Sequence, residues 1–285
     1  MAALLSPEDA AKLRTYERER HNALAQGYIA FFAPVTALAI APLLAAVKVS
    51  GGMRLLDVPT GSGALAAEAT RRGAAVIGVD IAPAMIAEAR KRHPGIDFQV
   101  ADVEHLPVSD GVLDAVVCAF GLGHFPYPEA SLAECLRTLK AGGRIAFSWW
   151  DTSDKQRVQG LIRDAAAEVG ARPPGVLPAG HSSLRFTDAR EFRGLLEGAG
   201  LADISLEAHR ATHLVPDVDA LWNGAIGGMA LTSSLIIYQD APTQTAIRAA
   251  LDRLAAAYTT PRGLELPVAF RVGAGRKRGR ACYRA

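Results

Sequence analysis

Leu55-Leu56-Asp57-Val58-Pro59-Thr60-Gly61-Ser62-Gly63-Ala64-Leu65-Ala66 runs from an apolar strand through a tight turn into the start of a helix. The glycines belong where the backbone must come close to a bound group, because a Cβ there would collide with it. Gly61-x-Gly63-x-x-Ala66 also fits the G-x-G-x-x-A fingerprint of dinucleotide sites, so the turn alone does not choose between nucleoside ligands. Asp57, at the strand end, narrows the choice. A carboxylate there would repel a pyrophosphate, yet it can accept hydrogen bonds, directly or through water, from an ammonium group.

Two further strands end in acids. Val76-Ile77-Gly78-Val79-Asp80 brings a carboxylate 17 residues after Gly63, where the two hydroxyls of a ribose can donate to it. Val100-Ala101-Asp102-Val103 closes a third strand; Asp102 can accept from an adenine amino group while Val103 and Ile81 clamp the ring. Any one of these acids could simply cap the helix that follows. Three at consecutive strand ends point to one nucleoside site.

The wider pattern agrees. Apolar runs at 53–58, 75–79, 96–100, 113–120 and 144–149 alternate with helical spacing at 64–72, 83–92 and 129–140. Continuous apolar strands separated by helices predict a parallel sheet covered on both faces. Beyond Trp150 the sequence predicts a helix at 154–170, a Pro/Gly-rich loop at 171–186, and a helix at 188–198 with Glu191 in the capping-box position. Strands follow at 202–208 and 268–272. The helical insertion between them, 217–259, is placed to act as a substrate lid.

At the other end, 1–22 reads as a charged helix begun by Ser6-Pro7-Glu8-Asp9. Residues 22–47 carry no charge, a length able to span a bilayer. Pro34 and Pro42 interrupt it and its many alanines insert weakly, so it is read as a helix pair covering apolar surface inside the protein. The segment lies too far from the start for a signal peptide.

The chain has 285 residues, 50% of them hydrophobic and 21% charged, which gives a sizeable core and excludes general disorder. A formal net charge of +2, with no basic stripe interleaved with aromatics, gives no pull toward nucleic acid or an anionic membrane. Cys118, Cys135 and Cys282 form no C-x-x-C pair and match no zinc spacing, so neither a disulfide framework nor a metal is expected, and the compartment is read as the cytoplasm. The run Arg276, Lys277, Arg278, Arg280 and Arg284 reads as a solvated tail. The domains expected are a helical cap at 1–50, a cofactor-binding core at 51–150, and the rest of the sheet with its lid at 151–285.

Residues 57–63, Val79-Asp80, Ala101-Asp102, 113–120 and Leu139-Lys140-Ala141-Gly142-Gly143-Arg144 together resemble, in order and spacing, the motifs of class I S-adenosylmethionine-dependent methyltransferases. The resemblance covers about residues 53–150 and is closest to the ubiquinone/menaquinone-biosynthesis and natural-product branch. It implies an α/β, Rossmann-like, doubly wound sheet of seven strands with the last antiparallel. It also implies S-adenosylmethionine as cofactor and methyl transfer to the N, O or C atom of a small, largely hydrophobic acceptor in bacterial secondary or quinone metabolism. By that resemblance Pro59, Gly61 and Gly63 lie under the methionine moiety with Asp57 near its amino group. Asp80 holds the ribose, Ile81 and Met85 pack beside it, Asp102 and Val103 recognise adenine, and the backbone of Ala119 and Phe120 faces the amino-acid end. Tyr28 stands near where the family often has a Tyr-Asp pair over the cofactor; Ile29 replaces the acid, so only the tyrosine carries over as a cofactor contact. Pro59 departs from the usual Gly or Ala and removes an N–H.

A base is needed only when the acceptor arrives protonated, and the candidate is His124, just past the fourth strand. Phe32, Trp149 and Trp222 are candidates for the acceptor side, where aromatic faces hold an apolar molecule and stabilise positive charge. Expected partners are therefore a small-molecule acceptor, neither nucleic acid nor membrane, with a homodimer left open. A cyclase or a non-catalytic S-adenosylmethionine-binding protein would share this fold. An NAD(P)-dependent oxidoreductase is the further alternative, opposed by Asp57 and Asp102.

Overall fold

The strands are β1 (Arg54–Asp57), β2 (Ala75–Asp80), β3 (Asp97–Val100), β4 (Leu113–Ala119), β5 (Leu139–Trp150), β6 (Ala202–Val215), β7 (Thr259–Thr260) and β8 (Gly263–Arg276). This computed structural model describes residues 5–172, 175–177 and 182–279. One sheet joins the strands in the order β3-β2-β1-β4-β5-β8-β6, and β7 is a two-residue strand paired antiparallel to β8. β1 through β5 pair in parallel, and the last strand is antiparallel. The two central strands bury nearly everything they carry: Leu55, Leu56, Val116, Val117 and Cys118 have no exposed surface. That is what a sheet covered on both faces requires of its sequence.

Helices Ala64–Arg71, Pro83–Arg92 and Pro128–Thr138 supply the crossovers, each close to its sequence-predicted bounds. Three strands are longer than expected. β5 starts at Leu139 instead of 144, because Leu113 pairs with Leu139 before a register shift at Leu113/Ala115. β6 and β8 extend to 14 residues each. β6 alternates partly buried with exposed residues, so no continuous apolar run announces it. The insertion between β6 and β8 resolves into helices Val218–Gly228, Ala230–Ile237 and Ala241–Ala255.

The expected helix pair over 22–47 is instead part of one helical run, Pro7–Ala46. Pro34 follows a π turn at Tyr28–Phe32, and Pro42 follows a 3₁₀ turn at Ala37–Ala39. The altered turns absorb the missing proline N–H groups without breaking the run. The most apolar 18-residue window of this run has a mean hydropathy of 2.2, enough by length and composition to cross a membrane, and 28% of it is buried.

The chain divides into two compact units. One comprises 1–38, 150–181 and 208–270; the other comprises 39–149, 182–207 and 271–285. The first is mainly helical. Within it Tyr16 Oη donates to the Ala230 carbonyl at 3.1 Å, Arg20 Nη2 donates to Ser233 Oγ at 2.8 Å, and His209 stacks on Phe270 at 5.3 Å. The second contains β1 through β4, most of β5, and all three strand-end acids.

Candidate functional site

Register places the acids together. Asp57 pairs with Gly78 of β2 and Val117 of β4, and Asp80 pairs with Val100 of β3. Asp57, Asp80, Asp102 and Phe120 therefore stand at the carboxyl ends of four adjacent parallel strands, where open α/β sheets bind ligands.

Asp57 is fully buried. Thr60 Oγ1 donates to its Oδ2 at 2.7 Å, while Oδ1 is buried without a hydrogen-bond partner. Burial pushes the Asp57 carboxyl up to about 7 from the ordinary 3.8, against the opposing hydrogen bond from Thr60 and a weaker one from the Ala66 backbone. Each oxygen of Asp80 accepts a backbone N–H, Gly61 N to Oδ2 and Ala82 N to Oδ1, both at 2.9 Å. This carboxylate thus ties the glycine turn to the end of β2. Asp102 Oδ1 accepts from Glu104 N at 3.0 Å. Met85 and Val103 are buried beside these acids in sequence, and Ile81 is partly exposed.

The glycines have more than one cause. Gly63 has φ +83°, and a Cβ on it would lie 2.8 Å from Phe98 Cζ. Gly63 therefore meets the Phe98 ring from β3, whereas the sequence reading gave the turn's glycines to a ligand. Gly61, at φ +54°, turns its N–H onto Asp80. Pro59 follows a cis peptide bond, and its Cδ lies against Gly121.

At the end of β4, Ala119 pairs with Ser148 of β5, and Phe120 N donates to Ser148 Oγ at 3.2 Å. Phe120 takes φ +54°, a left-handed conformation costly for an aromatic residue and associated with functional strain. His124 closes the 3₁₀ turn Leu122–His124 and meets Trp149 edge-on, with ring centroids 5.9 Å apart. Trp149 is committed to this turn: its Nε1 donates to the Ser183 carbonyl at 3.1 Å, and a Cβ on Gly123 would fall 2.1 Å from its ring.

The remaining candidates lie in the helical unit. Tyr28 meets Phe32 at 6.2 Å and shares a 2.9 Å hydrogen bond with Thr36. Phe32 packs on Trp150 at 5.6 Å, and the Arg248 guanidinium lies 5.8 Å from the Trp222 ring centre. Sequence reasoning missed Thr60, Ser148 and Phe98. Ser148 had a signal, as a polar residue inside the apolar run 144–149; Thr60 and Phe98 had none. Cys118 and Cys135 are buried thiols held well above their ordinary range by desolvation, Cys135 at about 12. Cys282 lies outside the described residues.

A family model described as a methyltransferase domain matches residues 56–147. The chain is 36% identical over 101 residues to a demethylmenaquinone methyltransferase of Beutenbergia cavernae, covering 35% of this chain and 42% of that one. It is 32% identical over 184 residues to a ubiquinone/menaquinone biosynthesis C-methyltransferase of Geobacter sulfurreducens, covering 58% and 69%. The aligned part thus spans less than half the length of the first relative. Among solved structures, the YcgJ protein of Bacillus subtilis matches with a TM-score of 0.57 at 17% identity, over 85% of this chain and 99% of that one. At that identity the likeness carries the fold alone.

Proposed function

Because this chain belongs to the class I S-adenosylmethionine-dependent methyltransferases, we propose that it methylates a small, largely hydrophobic acceptor and that residues 57–120 hold the cofactor. One observation carries the reading: three carboxylates end consecutive parallel strands, and the innermost, Asp57, keeps a buried oxygen with no partner. A buried acceptor atom left unpaired is costly, and the ammonium group of the cofactor would satisfy it.

S-adenosylmethionine, when bound, supplies an activated methyl group on a sulfonium. The chain's work is positioning and exclusion of water. Asp80 orients the Gly61 turn and accepts from the ribose hydroxyls. Asp102 and Val103 read the adenine edge, Ile81 and Met85 give apolar contact, and the backbone at Ala119 and Phe120 faces the amino-acid end. Pro59 gives up an N–H there and offers only its carbonyl. His124, steadied by Trp149, accepts a proton from an acceptor that arrives as a phenol or acidic C–H. Tyr28 lies over the cofactor, and Phe32, Trp149 and Trp222 supply aromatic surface to the acceptor. The relatives' names, demethylmenaquinone and ubiquinone/menaquinone biosynthesis methyltransferases, support a quinone-type ring as the acceptor; a place in bacterial quinone or secondary metabolism and in the cytoplasm belongs to the same proposal.

Parallel calorimetric titrations with S-adenosylmethionine, S-adenosylhomocysteine and NADH test the reading. The first two should bind and NADH should not. Asp80→Ala should weaken cofactor binding by about 1.5–3 kcal/mol, the range for a hydrogen bond to a charged group. Normal cofactor affinity in Asp80→Ala would remove the ribose assignment. Acceptor conversion without formation of S-adenosylhomocysteine would mark a cyclase instead.

A further inference from the structure

The basic run at the C-terminus is built into the fold through its first residues. Successive side chains of an extended segment point to opposite sides. At the end of β8 this turns Lys277 inward, where Nζ donates to the carbonyls of Leu136 at 2.6 Å and Leu139 at 2.7 Å. Its backbone pairs with the start of β5: Lys277 N donates to Gly143 O at 2.8 Å, and Gly142 N donates to Lys277 O at 3.0 Å. Arg276 and Arg278 consequently line an open concavity of about 520 Å³, with Leu201, Asp203 and Ile204.

The charges there do not balance. Arg276 Nε donates to Asp203 Oδ2 at 2.7 Å. That ion pair, reinforced by Arg144 and Lys48, holds the Asp203 carboxyl below its ordinary range. Asp203 is thus one acid paired with Arg276, with Arg278 on the same wall and Arg144 and Lys48 near enough to act on it through space. Among the described residues Arg278 forms no ion pair, and the acid that Lys48 and Arg144 act on is Asp203. Lys48 and Asp203 also hold left-handed backbones, φ +55° and +53°, uncommon outside glycine. The concavity sits at the amino end of β5, whereas the cofactor acids stand at the carboxyl ends of the parallel strands. All of these residues belong to one compact unit.

We propose that this concavity is a second ligand site, for a small oligophosphate anion. Guanidinium groups present forked donors that match phosphate oxygens, and two arginines on one wall, with Arg144 and Lys48 behind them, suit a di- or triphosphate better than a single carboxylate. Its distance along the strands from the cofactor acids makes it a site for a modulator, separate from the transfer machinery.

Titration of the full chain with tripolyphosphate at low ionic strength tests this, with ATP and sulfate in parallel. Tripolyphosphate should bind at one site per chain and ATP comparably, through the shared phosphates, with sulfate much weaker. Arg144→Ala with Arg278→Ala should weaken tripolyphosphate on the order of tenfold or more, as loss of charge-assisted hydrogen bonds predicts, and leave S-adenosylhomocysteine affinity unchanged. Arg278 is exposed, so Arg278→Ala alone keeps the test open if the double variant fails to fold. The proposal is overturned by absence of tripolyphosphate binding, by equal binding in the variants, or by sulfate binding as tightly. Sedimentation with acidic phospholipid vesicles, without tripolyphosphate binding, would reassign the patch to a membrane surface.

Discussion

Asp57 shows what the site costs in the free protein. Its carboxyl titrates near 7 in the folded chain against the ordinary 3.8, so the folded chain binds the extra proton across that interval. Stability contributed by this group therefore falls as pH rises from about 4 to about 7, and the full penalty applies above 7. Asp57→Asn should raise unfolding free energy relative to the parent by about 2 kcal/mol or more at pH 8, and by much less near pH 5, in urea titrations. The same variant should bind S-adenosylhomocysteine at least about tenfold more weakly, since a charge-assisted contact is lost. An ammonium group beside Asp57 lowers its pKa again. Parent affinity should then rise with pH through 7, with proton release visible as a buffer-dependent heat of binding. Affinity flat across that range would separate Asp57 from the cofactor. The three acids were legible because a charge at the end of an apolar strand stands out in sequence. Thr60 and the left-handed conformation of Phe120 were not, because tertiary neighbours set them.

Among the elements, β3 does more than end in an acid. Phe98, 2% exposed, fills the space over Gly63 and also meets Gly78 of β2, where a Cβ would lie 2.5 Å from its ring. Phe98→Ala should destabilise the chain by about 3–5 kcal/mol, as large core truncations do, and loosen the turn it supports. Denaturant unfolding measures the first effect and S-adenosylhomocysteine affinity the second. A stability loss with affinity intact would show that Asp80 alone fixes the turn. β1, β2 and β4 were readable from composition because they are mostly apolar on both faces, whereas β3 buries Phe98 alone among its four residues. The long arms of β6 and β8 were not, since their alternation dilutes the apolar signal. The helical run from Pro7 to Ala46 was misjudged for a different reason. Proline marks a lost hydrogen bond, but a π or 3₁₀ turn can take up that loss without ending the helix.

Across the whole molecule, each compact unit gathers three separate stretches of chain. Local pattern carries no trace of that, because it records neighbours in sequence and not in space. The division makes the roles separable. Hydrogen exchange with saturating S-adenosylhomocysteine should slow amides at 57–63, 80–85, 101–104 and 119–121, and leave helix Ala241–Ala255 unchanged. Trp222→Ala should cut acceptor turnover while the cofactor dissociation constant stays within about twofold, since Trp222 lies outside that set. Equal protection of both units, or loss of cofactor binding in Trp222→Ala, would contradict the assignment of residues 57–120.

Adjacent residues at the end of β5 meet different company: Trp149 faces His124, and Trp150 faces Phe32. With Trp222, they are the only tryptophans in the chain. A protein carrying Trp150→Phe and Trp222→Phe therefore keeps one emitter, edge-on to His124. Protonated imidazole quenches indole emission, so the brightness of that single residue reports the charge on the neighbouring ring. Light emitted from the molecule at rest would read out His124 before any acceptor is known.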